Sequence, residues 1–228
     1  MRPAQAWRRY CAWSIDTALL AIPALLLCWP HTSSVAAQLA AASDGLLQQA
    51  ARSLFDTLSS GLPPTALATQ WLADPIMSAA IHSVSQLIWS SLWPPLLLMA
   101  AIGAPYHARL ESSARQATVG QHLLGLRIVD MQGGRITASR ALLRHVAGVL
   151  SWLTLNIGHL MAMLPPGHRA LHDIVAGTRM LQDDYHAALP AWARAWLLLQ
   201  GLVLACAAVT LYRFMQGAMQ AGIDSLLY

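Results

Sequence analysis

Charge is what this 228-residue chain has least of: 11% of its residues are charged against 56% apolar (AVILMFWYC), and its mean hydropathy is +0.46. A soluble domain carries about 25% charged and about 45–50% apolar residues, so this chain could not cover a surface facing water. Lysine is absent; all 14 basic residues are arginine, set against 10 acids for a net charge of +4. That balance would suit nucleic acid, but the arginines form no stripe interleaved with aromatics and no recognisable binding motif. They gather in a few segments between apolar runs, as expected of cytoplasmic loops. Nucleic acid is therefore set aside as a partner and the lipid bilayer takes its place. Three distant cysteines, Cys11, Cys28 and Cys206, with no C-x-x-C, make neither a disulfide framework nor a zinc site. No nucleophile elbow, P-loop or dinucleotide fingerprint is present. The expectation is no enzyme, with no catalytic residue, cofactor or metal.

What the chain does have is long apolar runs. Tyr10 to Trp29 follows Arg8 and Arg9 and precedes Pro30. Twenty residues at ~1.5 Å each span ~30 Å, the thickness of the hydrocarbon core. A cleaved signal peptide is the competing reading, but the run is long for one and contains Asp16. Residues 31–74 hold Arg52 against Asp44, Asp56 and Asp74, so they read as an extracytoplasmic insert. Ser43–Asp44 resembles a helix start, with Leu46, Leu47, Ala50, Leu54, Phe55 and Leu58 as its apolar stripe. Ile76 to Tyr106 carries no full charge and predicts a second spanning helix, kinked at Pro94–Pro95.

Arg109, Arg115, Arg127, Arg135, Arg140 and Arg144 then arrive with only Glu111 and Asp130 as acids, which marks a cytoplasmic loop. Within it, Gly125 to Asp130, a turn at Gly133–Gly134 and Arg135–Thr137 predict a β-hairpin. Val146 to Leu164 is just long enough to cross and ends at Pro165–Gly167. It either crosses or is re-entrant. A strand at Gly177–Leu181 beside Leu126–Val129 would require both basic patches on one side, and the re-entrant arrangement is preferred. Ala195 to Tyr212 is the last apolar run.

Four side chains are candidates for chemistry. Asp16 lies two helical turns after Arg9, about 10.5 Å along the axis. A carboxylate in hydrocarbon costs roughly 2.5–3.5 kcal/mol and must find a partner; Arg144, Arg140 and Arg9 are the candidates. A buried pair fixing helix register and a proton or cation relay both fit this pattern. His168 and His172 are spaced i, i+4, but the H-E-x-x-H glutamate and a third ligand are missing, so interface histidines are preferred to a metal site. Asp173 could cap a helix or complement Arg8, Arg9 or Arg144.

Three signatures in order carry a resemblance. They are Arg9-Tyr10-Cys11-Ala12-Trp13-Ser14-Ile15-Asp16; Thr118-x-Gly120-Gln121-x-Leu123-Leu124-Gly125-Leu126-Arg127-Ile128-Val129 with Arg144 beyond it; and Leu171-His172-Asp173-x-x-Ala176-Gly177-Thr178-Arg179. Together they resemble the RDD family of membrane proteins, named for one arginine and two aspartates. The resemblance departs at Gln121, where a lysine is usual, at the long insert, and at the final helix. It implies an integral membrane protein, with transport of an unidentified ligand proposed for the family and cation/proton exchange suggested for some members.

The expectation is thus an all-α membrane protein, a bundle of three or four membrane helices, one possibly re-entrant, with a short cytoplasmic β-hairpin. Residues 1–187 form the RDD-like domain and 188–228 an added helix and tail. The chain is expected in a bacterial inner membrane with its N-terminus cytoplasmic. It reads as a small transporter or exchanger using Arg9, Asp16, Arg144 and Asp173, or else as a non-catalytic assembly protein in which these charges are structural. So small a bundle would enclose a path only as a homo-oligomer or with a membrane partner.

Overall fold

The computed structural model describes residues 2–63, 65–153, 157–163, 168–183 and 188–227. Helices dominate: α1 (Ala6–Ser59), α2 (Ala66–Ala73), α3 (Pro75–Glu111), α4 (Val119–Leu123), α5 (Ala138–Leu153), α6 (Ile157–Leu160), α7 (Leu171–Val175) and α8 (Ala191–Leu227). Three strands, β1 (Arg2–Pro3), β2 (Leu126–Asp130) and β3 (Thr178–Gln182), form one antiparallel sheet in the order β1-β3-β2. Three helices, Ala6–Ser59, Pro75–Glu111 and Ala191–Ala221, contain stretches long and apolar enough to cross a membrane.

The first helix is far longer than its apolar run. It covers 54 residues without a break, about 80 Å at the usual rise, so Pro30 does not end it and Ser43–Asp44 is not a start. A proline inside a helix removes one donor. The carbonyl it leaves unserved is that of Leu26, one turn back, and the alanine-rich stretch 36–42 that follows has the best helix propensity available. Likewise α3 runs through Pro94–Pro95 as one helix.

By its contacts the chain forms two compact units, Met1–Leu26 with Leu96–Leu199, and Leu27–Pro95 with Gln200–Tyr228. In the second, α2 docks beside the end of α1, where Thr57 Oγ1 donates to Gln70 Oε1 (2.8 Å) and to the Ser53 carbonyl. The buried positions there are Ala51 and Thr57, whereas Phe55 and Leu58, counted in the expected stripe, are 45% and 56% exposed. The stripe is turned because α2 covers the Thr57 side of α1.

The first unit holds the sheet and a core of Ala4, Cys11, Leu124, Leu126, Ile128 and Met180. The expected hairpin is only half there. Its turn forms, with Gly133 N–H donating to Asp130 O and Asp130 N–H to Gly134 O. Arg135–Thr137, however, is not a strand, and β2 pairs instead with β3, from Leu126↔Gln182 to Asp130↔Thr178. The reason is local: Ile136 is wanted in the core (3% exposed), and Ala138 already starts α5. The N-terminus adds β1 to the far side of β3. β2 and β3 are entered the same way. A five-residue helix ends in a glycine of positive φ, Gly125 (65°) or Gly177 (62°), and a strand follows.

The pairing of β2 with β3 decides the fate of the third apolar run. The chain leaves the sheet at Asp130 and rejoins it at Thr178, so the segment between begins and ends on one side. Among the described residues α5 covers 16. It turns Arg144, Ala147 and Ser151 inward and Leu142, Leu143, Val146 and Leu150 outward. Of the expected features of this run, Thr154, Asn156 and the stop at Pro165–Gly167 lie outside the described residues.

This topology is checked with single cysteines at Arg2 and Gln132 in a chain whose native cysteines are replaced by alanine. A membrane-impermeant maleimide is expected to label both from the same side; labelling from opposite sides would contradict the sheet.

Candidate functional site

Four ionic side chains from four helices meet in the first unit. Asp173, the third residue of α7, first serves its own helix: Oδ2 accepts the Ala170 N–H at 3.1 Å, a cap that favours a carboxylate at a helix start. Arg9, in the first turn of α1, donates through Nη2 to the same Asp173 oxygen and through Nη1 to the His168 carbonyl at 2.8 Å. Arg144, on the inward face of α5, donates through Nε to Asp173 Oδ1 at 3.0 Å and through Nη1 to Glu111 Oε1 at 2.6 Å. Glu111, the last residue of α3, also accepts from His107 Nδ1 (3.0 Å) and Gln121 Nε2 (3.1 Å). Both carboxylates are fully buried. Two positive and two negative charges therefore cancel inside the protein.

The electrostatics follow from that closure. Burial alone would raise the Asp173 pKa, but the guanidiniums of Arg9 and Arg144 outweigh it and hold the carboxyl well below the usual range. Burial would likewise lower Arg144, yet Glu111 and Asp173 hold it above its ordinary value. His172, next to Asp173, goes the other way: burial and then the Arg144 charge push it down to about 3. Its ring is neutral, and Arg144 Nη2 lies 3.2 Å from its Nε2.

Asp16 lies outside this network. It was expected to meet Arg144, Arg140 or Arg9, but among the described residues none pairs with it. Its carboxylate accepts three neutral donors instead: Tyr106 Oη (2.6 Å) and Gly120 N–H (2.8 Å) on Oδ1, and Thr118 Oγ1 (2.6 Å) on Oδ2. The cause is close packing. Thr118 caps α4, with Gln121 completing the capping box, and the helix start presses so tightly on α1 that a Cβ at Gly120 would sit 2.3 Å from the Ala12 carbonyl oxygen. The glycine lets a backbone amide reach a carboxylate that an arginine would otherwise need to satisfy. Arg9 is already committed to Asp173, and Arg140 is exposed.

Of the four sequence candidates the structure thus brings together Arg9, Arg144 and Asp173 and leaves Asp16 apart. Glu111 is the member that sequence reasoning missed. Its signal was present, since it stands four residues after His107 at the end of an uncharged run, but in a loop rich in arginine it read as one more surface acid. His168 and His172 do not form a pair: His168 contributes its carbonyl to Arg9, and His172 its ring to Arg144. Among the described residues no group of three or more His, Cys, Asp or Glu could hold a metal.

Beside the network lies a cavity of about 530 Å³, lined by Arg9, Asp16, His107, Arg144, His159 and His172 together with apolar side chains. Small-molecule sites occupy ~300–1,000 Å³.

Breaking a buried ion pair costs about 3–5 kcal/mol, because the surviving charge is stranded. Arg9→Met and Asp173→Asn are each expected to lower unfolding free energy in mixed micelles by that order, and the double variant by clearly less than their sum. Strict additivity would contradict the network. The pH response is also set. A histidine buried neutral stabilises the fold fully above the unfolded pKa of ~6.5, and this is lost as pH falls toward the folded value of about 3. Asp173 is ionised in folded and unfolded chains throughout pH 5–7 and adds nothing to the change. Acidification from pH 7 to 5 is expected to cost roughly 2 kcal/mol through His172, read as a shallower loss in His172→Asn. An equal loss in both proteins would contradict it.

The RDD family profile matches residues 3–177. A Bacillus subtilis (strain 168) protein described as uncharacterized protein YxaI is 27% identical over 180 residues, covering 79% of this chain and 97% of its own length. No solved structure matches. The matched stretch contains Arg9, Asp16, Glu111, Arg144 and Asp173, and on that footing the chain belongs to the RDD family.

Proposed function

We propose that this protein is a small membrane carrier, not an enzyme, in which Asp16 is the coupling group and Arg9, Glu111, Arg144 and Asp173 are its fixed frame. The observation that carries the reading is the difference between the acids. Asp173 and Glu111 each have a guanidinium as counter-charge, so an incoming cation has nothing to gain there. Asp16 faces the cavity with neutral donors only, so a small cation can join it without displacing another. An acid buried in a membrane helix and turned to a cavity is the kind of group that carriers use for ion coupling. On this reading the basic loop between Arg109 and Arg144 and the N-terminus face the cytoplasm of a bacterial cell, by the arginine asymmetry of the loops, and a second copy or a partner completes the path.

The experiment is dye-reported proton movement in proteoliposomes under an imposed sodium or potassium gradient. Wild type is expected to move protons, and Asp16→Asn to lose most of that flux while keeping its melting temperature within a few degrees. Normal flux in a folded Asp16→Asn protein would remove Asp16 from the mechanism. The mutual satisfaction of the four frame charges also favours an assembly role. That reading expects no flux from wild type and loss of crosslinked partners when Asp173 is neutralised.

A further inference from the structure

His172 holds a hydrogen-bond donor that the described protein leaves unused. Arg144 Nη2 can only donate, so His172 Nε2, 3.2 Å away, is the accepting nitrogen. The ring is neutral, and its one proton therefore sits on Nδ1. Nδ1 is buried and among the described residues has no partner, on a side chain that is 8% exposed. A buried donor left unmet is unfavourable, and an acceptor arriving through the cavity would relieve it. On its Gly148 side no side chain stands between Nδ1 and the cavity, because position 148 is glycine. Gly148 lines the cavity, and a Cβ there would lie 3.9 Å from Nδ1 with no other atom within 4 Å outside its own helix turn and neighbours.

The rest of the cavity selects what can arrive. Trp13, Leu20, Met99, Leu160 and Met163 give it apolar walls. The arginines that border it are already matched by Asp173 and Glu111, so they offer no surplus positive charge. Asp16 adds a carboxylate to the lining. An anion would gain nothing net from this field and would face Asp16. A small cation is drawn to Asp16 but brings nothing to accept the Nδ1–H hydrogen bond. A neutral acceptor meets neither penalty.

We propose that this cavity binds a neutral, largely apolar molecule bearing a carbonyl oxygen, which accepts a hydrogen bond from His172 Nδ1–H. The inference rests on the carrier reading in taking the cavity as the substrate chamber, and it names the class of substrate.

Three rigid probes of one size test it: 9-fluorenone with a carbonyl, fluorene with no acceptor, and fluorene-9-carboxylate with a charge. Binding is measured calorimetrically to the full chain in lipid nanodiscs, with empty nanodiscs as the reference. Fluorenone is expected to bind about 3–10-fold tighter than fluorene, the factor one neutral hydrogen bond supplies, and the carboxylate no tighter than fluorene. In ¹⁵N-histidine-labelled protein the His172 Nδ1–H resonance is expected to shift with fluorenone and not with fluorene. Gly148→Ala is expected to weaken fluorenone several-fold and Gly148→Leu at least tenfold. The alanine variant, whose Cβ stands at ordinary contact distance, serves if leucine disturbs folding. Equal binding of fluorenone and fluorene, preference for the carboxylate, indifference to Gly148→Ala together with an unmoved His172 resonance, or no binding by any probe would each overturn the proposal. None of these alters the outcome of the Asp16→Asn flux measurement, so the two claims fail separately.

Discussion

A carboxylate taken out of water must be given back, within the protein, what water supplied, and Asp173 shows how much chain that requires. Its two oxygens receive an amide from their own helix, a guanidinium from the first turn of α1 and another from α5. The second guanidinium then needs its own remaining charge balance, which Glu111 at the end of α3 provides. Four elements distant in sequence are thereby tied at one point. Removing any one charge strands its partner in a medium where isolated ions cost several kcal/mol. The sheet makes the geometry possible. It holds the chain before α1, after α4 and after α7 side by side, which brings the starts of α1 and α7 within reach of each other.

The middle and last signatures of the chain are two uses of one local device. In each, a single short helix turn is capped at its start, a glycine at positive φ reverses the chain, and a strand follows. The middle copy aims its cap at Asp16 through Thr118 and Gly120, and the last copy supplies Asp173 itself. The family relationship carries a further consequence at Gln121, where a lysine is usual. The glutamine side chain closes the capping box on Thr118 N–H and donates to Glu111. It therefore does by hydrogen bonding what a cation would do by charge, and leaves Arg144 as the guanidinium on Glu111.

Much of this was legible in residue pattern. Two long apolar runs and a third near the C-terminus announced the membrane helices, the first strand of the basic loop was read within one residue of its observed bounds, and Arg9, Arg144 and Asp173 were singled out together. What escaped were features that depend on distant contacts. The apolar run placed a helix end at Pro30, but the loss of one donor did not stop α1, and the alanines beyond favour helix. The strand partner of β2 lies 48 residues downstream of Asp130, at Thr178; Gly177–Leu181 was read as a possible partner, but the turn signal added the nearer segment 135–137, which is not a strand. Charge arithmetic required a cation for Asp16, because it could not see that one glycine would admit a backbone amide. Glu111 looked solvated because nothing in a single sequence distinguishes an acid at a helix end from one beneath another helix.

The most direct measurement is a set of ¹³C–¹⁵N distances by rotational-echo double-resonance NMR, in bilayers, on protein with labelled arginine guanidinium nitrogens and aspartate carboxyl carbons. The account predicts strong dephasing of the Asp173 carboxyl, reduced in part by Arg9→Lys and in part by Arg144→Lys, with no arginine dephasing of Asp16. A dephased Asp16, or an Asp173 carboxyl silent to arginine nitrogen, would contradict it.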